Sequence, residues 1–138
     1  MKYLLDTNVI SELNKPNCSQ NVKSFIDTLS WEDLYLPVIT IGEICFGIEK
    51  LPSGKKKHEL SVWLYTKLPQ WFNDRILEIN TEAMIEWGKI RAFSERTLPA
   101  VDAMIAAIAI VNHMFLVTNN VKDFKGIEGI NLINPWEF

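Results

Sequence analysis

Tyr3-Leu4-Leu5-Asp6-Thr7-Asn8-Val9-Ile10 sets an apolar triplet against an acid and turns at once into helical spacing. An apolar run cut off this sharply reads as a buried strand of a parallel sheet. Val9, Ile10 and Leu13 then share one side of a short helix over residues 7–14. Strand, acid and helix make the first unit of an α/β fold. In open parallel sheets the carboxyl end of such a strand is where ligands bind.

Working outward, the same alternation continues. Val22, Phe25, Ile26 and Leu29 predict a helix over 19–30, and Leu34-Tyr35-Leu36-Pro37-Val38 a strand edge. Ile41, Ile44, Cys45, Ile48 and Leu51 form one stripe of a helix over 40–51. Pro52-Ser53-Gly54 turns the chain into a helix over 55–68, which Pro69 ends or kinks. Ile76-Leu77-Glu78-Ile79 is a strand, and residues 81–94 and 100–112 are helices. Phe115-Leu116-Val117-Thr118 and Asn131-Leu132-Ile133 are the last strands. Strands that alternate with helices predict a parallel sheet with helices on both faces. No repeat, linker or low-complexity stretch divides residues 1–138, so one domain is expected.

The chain has 138 residues, 48% of them hydrophobic and 22% charged, which suits a globular core and excludes a disordered chain. No apolar run approaches the roughly 20 residues of a membrane span. Met1-Lys2-Tyr3-Leu4-Leu5-Asp6 has no secretory apolar segment, and Cys18 and Cys45 make no disulfide or CxxC pattern. A cytoplasmic chain with reduced thiols is expected. The net charge of −3 argues against binding long duplex DNA by bulk charge. It leaves nuclease chemistry open, because acids that hold a metal lower the charge of the metal-free chain.

Three acids fall at element junctions: Asp6, Glu43 in Thr40-Ile41-Gly42-Glu43, and Asp102 in Pro99-Ala100-Val101-Asp102. Each has a purely structural explanation. Asp6 is a good N-cap. Thr40 and Glu43 match a capping box, with Thr40 as N-cap. Asp102 complements the dipole at the start of a helix. Asn120 and Asp123, in Thr118-Asn119-Asn120-Val121-Lys122-Asp123-Phe124, read as a turn and a cap, with Asp123 facing outward. Yet acids gathered at strand ends with no Lys or Arg beside them in sequence repel one another, and such a cluster calls for a hard cation.

These segments, in this order and spacing, resemble the PIN-domain ribonucleases, and among them the VapC-like toxins of toxin–antitoxin pairs. The matching stretches are Leu4–Ser11, Ile39–Ile48, Leu98–Ala107 and Leu116–Phe124, together with the ending Ile130–Trp136. The resemblance implies a PIN-like three-layer sandwich, an acidic pocket holding Mg²⁺ or Mn²⁺, and endonucleolytic cleavage of RNA. It implies that Asp6, Glu43 and Asp102 are the metal-site acids and that Thr7, Asn8 and Thr118 are their polar surround. Asn120 stands where many PIN domains carry a fourth acid. Its amide brings no charge, so one well-held metal is expected. The resemblance further implies a homodimer and a cognate antitoxin that covers the pocket or the groove beside helices 40–51 and 55–68, with DNA met only through that antitoxin. Phe46, Trp63, Tyr65 and Trp71 are the aromatic residues expected to face such partners.

Two other readings start from the same residues. A haloacid-dehalogenase-like phosphatase also opens on a strand ending in Asp, but it needs a second Asp where this chain has Asn8 and a Thr where it has Ile10. A PIN domain that binds RNA without cutting it would keep the acids and lack the reaction. His58 and His113 make no catalytic pair. Lys55-Lys56-Lys57-His58 is the one dense basic cluster, read either as a solvated helix start or as a phosphate-tracking or partner-binding patch.

Overall fold

Consecutive leucines of β1 (Tyr3–Leu5) serve two different cores. In the computed structural model, which describes residues 1–138, Leu4 packs into the cluster on one face of the sheet and Leu5 into the cluster on the other. Successive side chains of a strand point to opposite faces, so a strand buried on both sides must be apolar throughout. Leu116 and Val117 of β4 (Phe115–Val117) divide between the two clusters in the same way.

With β2 (Leu34–Pro37), β3 (Ile76–Leu77) and β5 (Asn131–Ile133), these strands form a five-stranded sheet in the order β3-β2-β1-β4-β5. Every ladder is parallel, and Leu4 lies opposite Tyr35 on one side and Leu116 on the other. The chain builds from β1 out to β3, then returns to the far side of β1 to lay down β4 and β5. That reversal leaves a crevice beyond the carboxyl ends of β1 and β4, the usual ligand position of such sheets.

One face is covered by α1 (Thr7–Leu13), α2 (Gln20–Asp27), α3 (Val38–Glu49) and the run from α4 (Lys55–Val62) to α5 (Leu68–Phe72). The other is covered by α6 (Thr81–Phe93), α7 (Ala100–Val111) and the short α8 (Val121–Phe124). Ala103, Ala106, Ala107 and Ala109 of α7 are fully buried, and their small side chains let neighbouring elements approach closely. The result is the expected three-layer α/β sandwich.

Among the boundaries that differ from the sequence reading, three change how a residue is read. Helix α3 begins at Val38, directly after Pro37, so Thr40 lies inside the first turn and caps nothing. The capping-box reading of Thr40 and Glu43 is therefore wrong. Pro37 holds the extended conformation that ends the strand and lets the helix start two residues early. Pro69 neither ends nor sharply breaks its helix. Residues Trp63–Lys67 widen into a π turn in which the Leu68 N–H bonds the Trp63 carbonyl, five residues back. A ring with no N–H to offer the carbonyl of Tyr65 is tolerated by such a widened turn. The strand expected at 76–79 is shorter, pairing at Ile76 and Leu77 and ending there. Trp63, expected at the surface, is 7% exposed and packs in the α1–α5 core, with its Nε1 unpartnered. No helix is long and apolar enough to cross a membrane, and Cys18 and Cys45 are both free.

Candidate functional site

Asp6 follows the last residue of β1, and its backbone N–H completes the ladder to the Val117 carbonyl at 3.0 Å. It also serves as N-cap of α1, Oδ1 accepting from the Thr7 N–H at 2.8 Å. Its other oxygen accepts from the Thr118 hydroxyl at 2.8 Å and the Asn8 amide at 3.2 Å. The local capping role and the place in a polar cluster thus belong to the same side chain. Thr118, fully buried at the end of β4, also takes the Asn120 backbone N–H at 3.0 Å, while Asn8 Oδ1 accepts the Asn119 N–H at 3.1 Å. These bonds tie the start of α1 to the turn before α8 across the crevice.

Glu43 reaches the same place from α3. The Thr7 hydroxyl donates to its Oε1 at 2.6 Å, and the buried Thr40 hydroxyl lies 3.1 Å from that of Thr7. Glu43 is three residues beyond Thr40 and shares its helix face, which is why the spacing imitated a capping box.

Asp102, in the first turn of α7, completes the group electrostatically. Burial pushes its carboxyl above the ordinary Asp range, and the charges of Asp6, Asp123 and Glu43 push it further. Arg96 alone pulls it back. Asp6 is raised as well, first by burial; donors from Thr118 and Thr7 oppose the rise and Glu43 adds to it. Groups whose charges shift one another in this way share one field.

Asp123 departs from the sequence reading. Helix α8 has no side-chain cap, so Asp123 does not cap it; the residue is half-buried, and its charge helps push the Asp102 carboxyl up. Asn120 is exposed and contributes only its backbone to the bonds described. Thr40 and Arg96 escaped the sequence reading. Thr40 was absorbed by an apparent cap, and Arg96 enters only through contacts with residues 26 to 29 positions away. The Lys55–Lys57 cluster is engaged elsewhere, with Lys55 3.8 Å from Glu59 and Lys57 3.7 Å from Glu49.

The donor set suits a hard cation: carboxylates, hydroxyls and amides, with one guanidinium nearby. No three acids converge as a ready coordination shell. Mg²⁺ fits such an open arrangement, since it retains several waters and needs one or two carboxylates.

The chain matches the family model described as the PIN domain over residues 3–129. It is 37% identical over 137 residues to the plasmid stability protein StbB of Pseudomonas syringae, covering 97% of this chain and 98% of that one. It is 32% identical over 137 residues to the VapC ribonuclease Y4jK of Sinorhizobium fredii, covering 97% of each. Toxin FitB of Neisseria gonorrhoeae is 33% identical over 136 residues, covering 96% of this chain and 97% of FitB. The crystal structure of FitAcB from the same organism superposes with a TM-score of 0.91, 32% identity and 99% coverage of both chains. Sequence and fold agree along almost the whole length: this chain belongs to the PIN-domain family.

Proposed function

We propose that this chain is an endoribonuclease toxin that hydrolyses phosphodiester bonds in RNA with a divalent metal, Mg²⁺ or Mn²⁺, and is held inactive by a cognate antitoxin. The observation that carries the reading is the bonded polar group at the switch point of the sheet, where Thr118 and Asn8 hold the Asp6 carboxylate and Thr7 holds that of Glu43, with Asp102 opening α7 nearby. The relatives support it: one is named a VapC ribonuclease and another a toxin.

In this reading Asp6 and Asp102 are the principal ligands, with Glu43 as ligand or as acceptor of the attacking water's proton. When bound, a divalent ion supplies the acidified water and the neutralisation of phosphate charge that hydrolysis needs. Thr7 orients Glu43 through its 2.6 Å bond, so the accepting oxygen is held by a residue that follows β1 directly. Thr118 and Asn8 fix the Asp6 carboxylate. Asn120 offers an uncharged oxygen to water or phosphate, and Asp123 brings the charge that Asn120 lacks.

The test is cleavage of a labelled single-stranded RNA by the purified chain, with Mg²⁺, with EDTA, and with its antitoxin. Cleavage lost with EDTA and with antitoxin is the expected result. RNA bound but intact in Mg²⁺ would favour the non-cutting alternative.

A further inference from the structure

The last turn of α6 and the loop that leads to α7 carry two arginines, Arg91 and Arg96. Ser94 accepts the Arg96 backbone N–H at 3.3 Å and donates to the Arg96 carbonyl at 2.6 Å, closing a tight turn. One guanidinium nitrogen of Arg96, Nη2, donates to the Asp123 carbonyl at 2.6 Å and lies 3.3 Å and 3.4 Å from those of Lys122 and Lys125. Its Nη1 and Nε make no bond within the protein, leaving most of the five donors free. Arg91 is exposed, its guanidinium 4.9 Å from the Trp87 ring centre, and Trp87 is anchored by its Nε1 to the Ala100 carbonyl at 3.2 Å.

Arg91, Ser94, Glu95, Arg96 and Thr97 line an open depression of about 470 Å³. It holds two guanidinium groups against one carboxylate, in a chain whose net charge is −3. Lys122 and Lys125, on the turn that Arg96 grips, are both exposed. Phe93, at the end of α6 beside the depression, is 84% exposed. An aromatic ring beside paired cations is the arrangement that holds an unpaired strand, cations on phosphates and ring on base. Arg96 connects this depression to the turn beside the acids, because its Nη2 donates to the Asp123 carbonyl.

We propose that the end of α6 and the α6–α7 loop form the phosphate-binding track of the substrate RNA, with Arg91 and Arg96 gripping backbone phosphates beside the one at the acid site. This rests on the reading of the chain as a ribonuclease. Arg96 has two tasks, since it also clamps the turn that carries Asp123. Arg91 holds no backbone and touches only the Trp87 ring, so the salt slope of its variant reports on the phosphate contact.

The experiment measures binding apart from cleavage. A fluorescein-labelled, unstructured oligoribonucleotide is titrated with the whole chain carrying Asp6→Asn, so that the RNA stays intact, and anisotropy is followed from low to moderate salt. Adding Arg91→Gln is expected to weaken binding about tenfold and to lower the salt slope by about 0.7, the share of one phosphate contact on a single strand. Lys23→Gln, on the opposite layer of the sandwich, is expected to leave both unchanged. Binding within twofold of the parent in Arg91→Gln, or equal losses in Arg91→Gln and Lys23→Gln, would overturn the track. So would weakened capture of the antitoxin with RNA binding intact, since the depression would then be a protein-docking surface. Cleavage by the otherwise wild-type chain is scored separately, so failure of the nuclease reading and failure of the track give different results.

Discussion

Asp6 does two things that usually compete. It caps a helix, which favours its charged form, and it is buried among other acids, which disfavours it. Burial wins, and the carboxyl titrates above the ordinary Asp range. The sign follows from linkage: the folded chain holds its protons to higher pH than the unfolded chain. The stability this brings is full below the unfolded pKa and lost as pH rises through the folded one. Metal-free protein should therefore melt higher at mildly acid pH than at neutral pH so far as Asp6 and Asp102 decide it. Melting curves of the Asp6→Asn/Asp102→Asn chain should be flatter across that range and higher at neutral pH. The same single changes should cut RNA cleavage by more than about 100-fold, because even supporting residues of metal sites cost about 10–100-fold. A folded Asp6→Asn protein with full activity would refute its assignment as a ligand.

Elements show the opposite sign at Glu12. This residue joins α1 to α2 by accepting the Ser19 N–H at 2.7 Å, with Lys15 at 3.1 Å, and these donors hold its carboxyl below the ordinary range. Its contribution is present above the unfolded pKa and lost as pH falls through the folded one. Urea midpoints of wild type and Glu12→Gln should differ at neutral pH and converge in acid; a constant gap would assign the effect to packing instead. In the sheet, Leu116→Ala should cost about 2–5 kcal/mol, as fully buried leucines do, read by the same urea titration. The strands were legible because each is a short apolar run closed by a polar residue, and Asp6 and Thr118 were legible because they stand at those ends. What sequence could not carry was contact over distance. The bond from Thr7 to Glu43 joins residues 36 apart, and the grip of Arg96 on α8 spans 26 to 29. Local rules even misled where they were satisfied by accident, as with Thr40 and Glu43. Pro69 shows the same limit: its consequence, a π turn, depends on a helix that packing holds together on both sides.

For the molecule as a whole, the acids lie beside an apolar groove. Ile39, Gly42, Glu43 and Phe46 line a depression on α3, and Phe46 and Tyr65 are 64% and 72% exposed. A partner segment laid there would cover Glu43, and a basic side chain from it would pair with the acids. Phe46→Ser should weaken the complex with the antitoxin at least about tenfold, the effect of losing one buried aromatic anchor, while cleavage by the free chain persists. Calorimetry of the complex reads this directly, and an unchanged affinity would move the antitoxin elsewhere. The central claim is that the acids form a site for a hard cation. Thermal unfolding of metal-free protein titrated with Mn²⁺ tests it without reference to activity. Wild type should rise with metal, by about 2.7 kcal/mol at one hundred times the dissociation constant. Asp123→Asn should rise less, and the Asp6→Asn/Asp102→Asn chain should not respond. Equal stabilisation of wild type and the double variant, or none in wild type, would contradict the account.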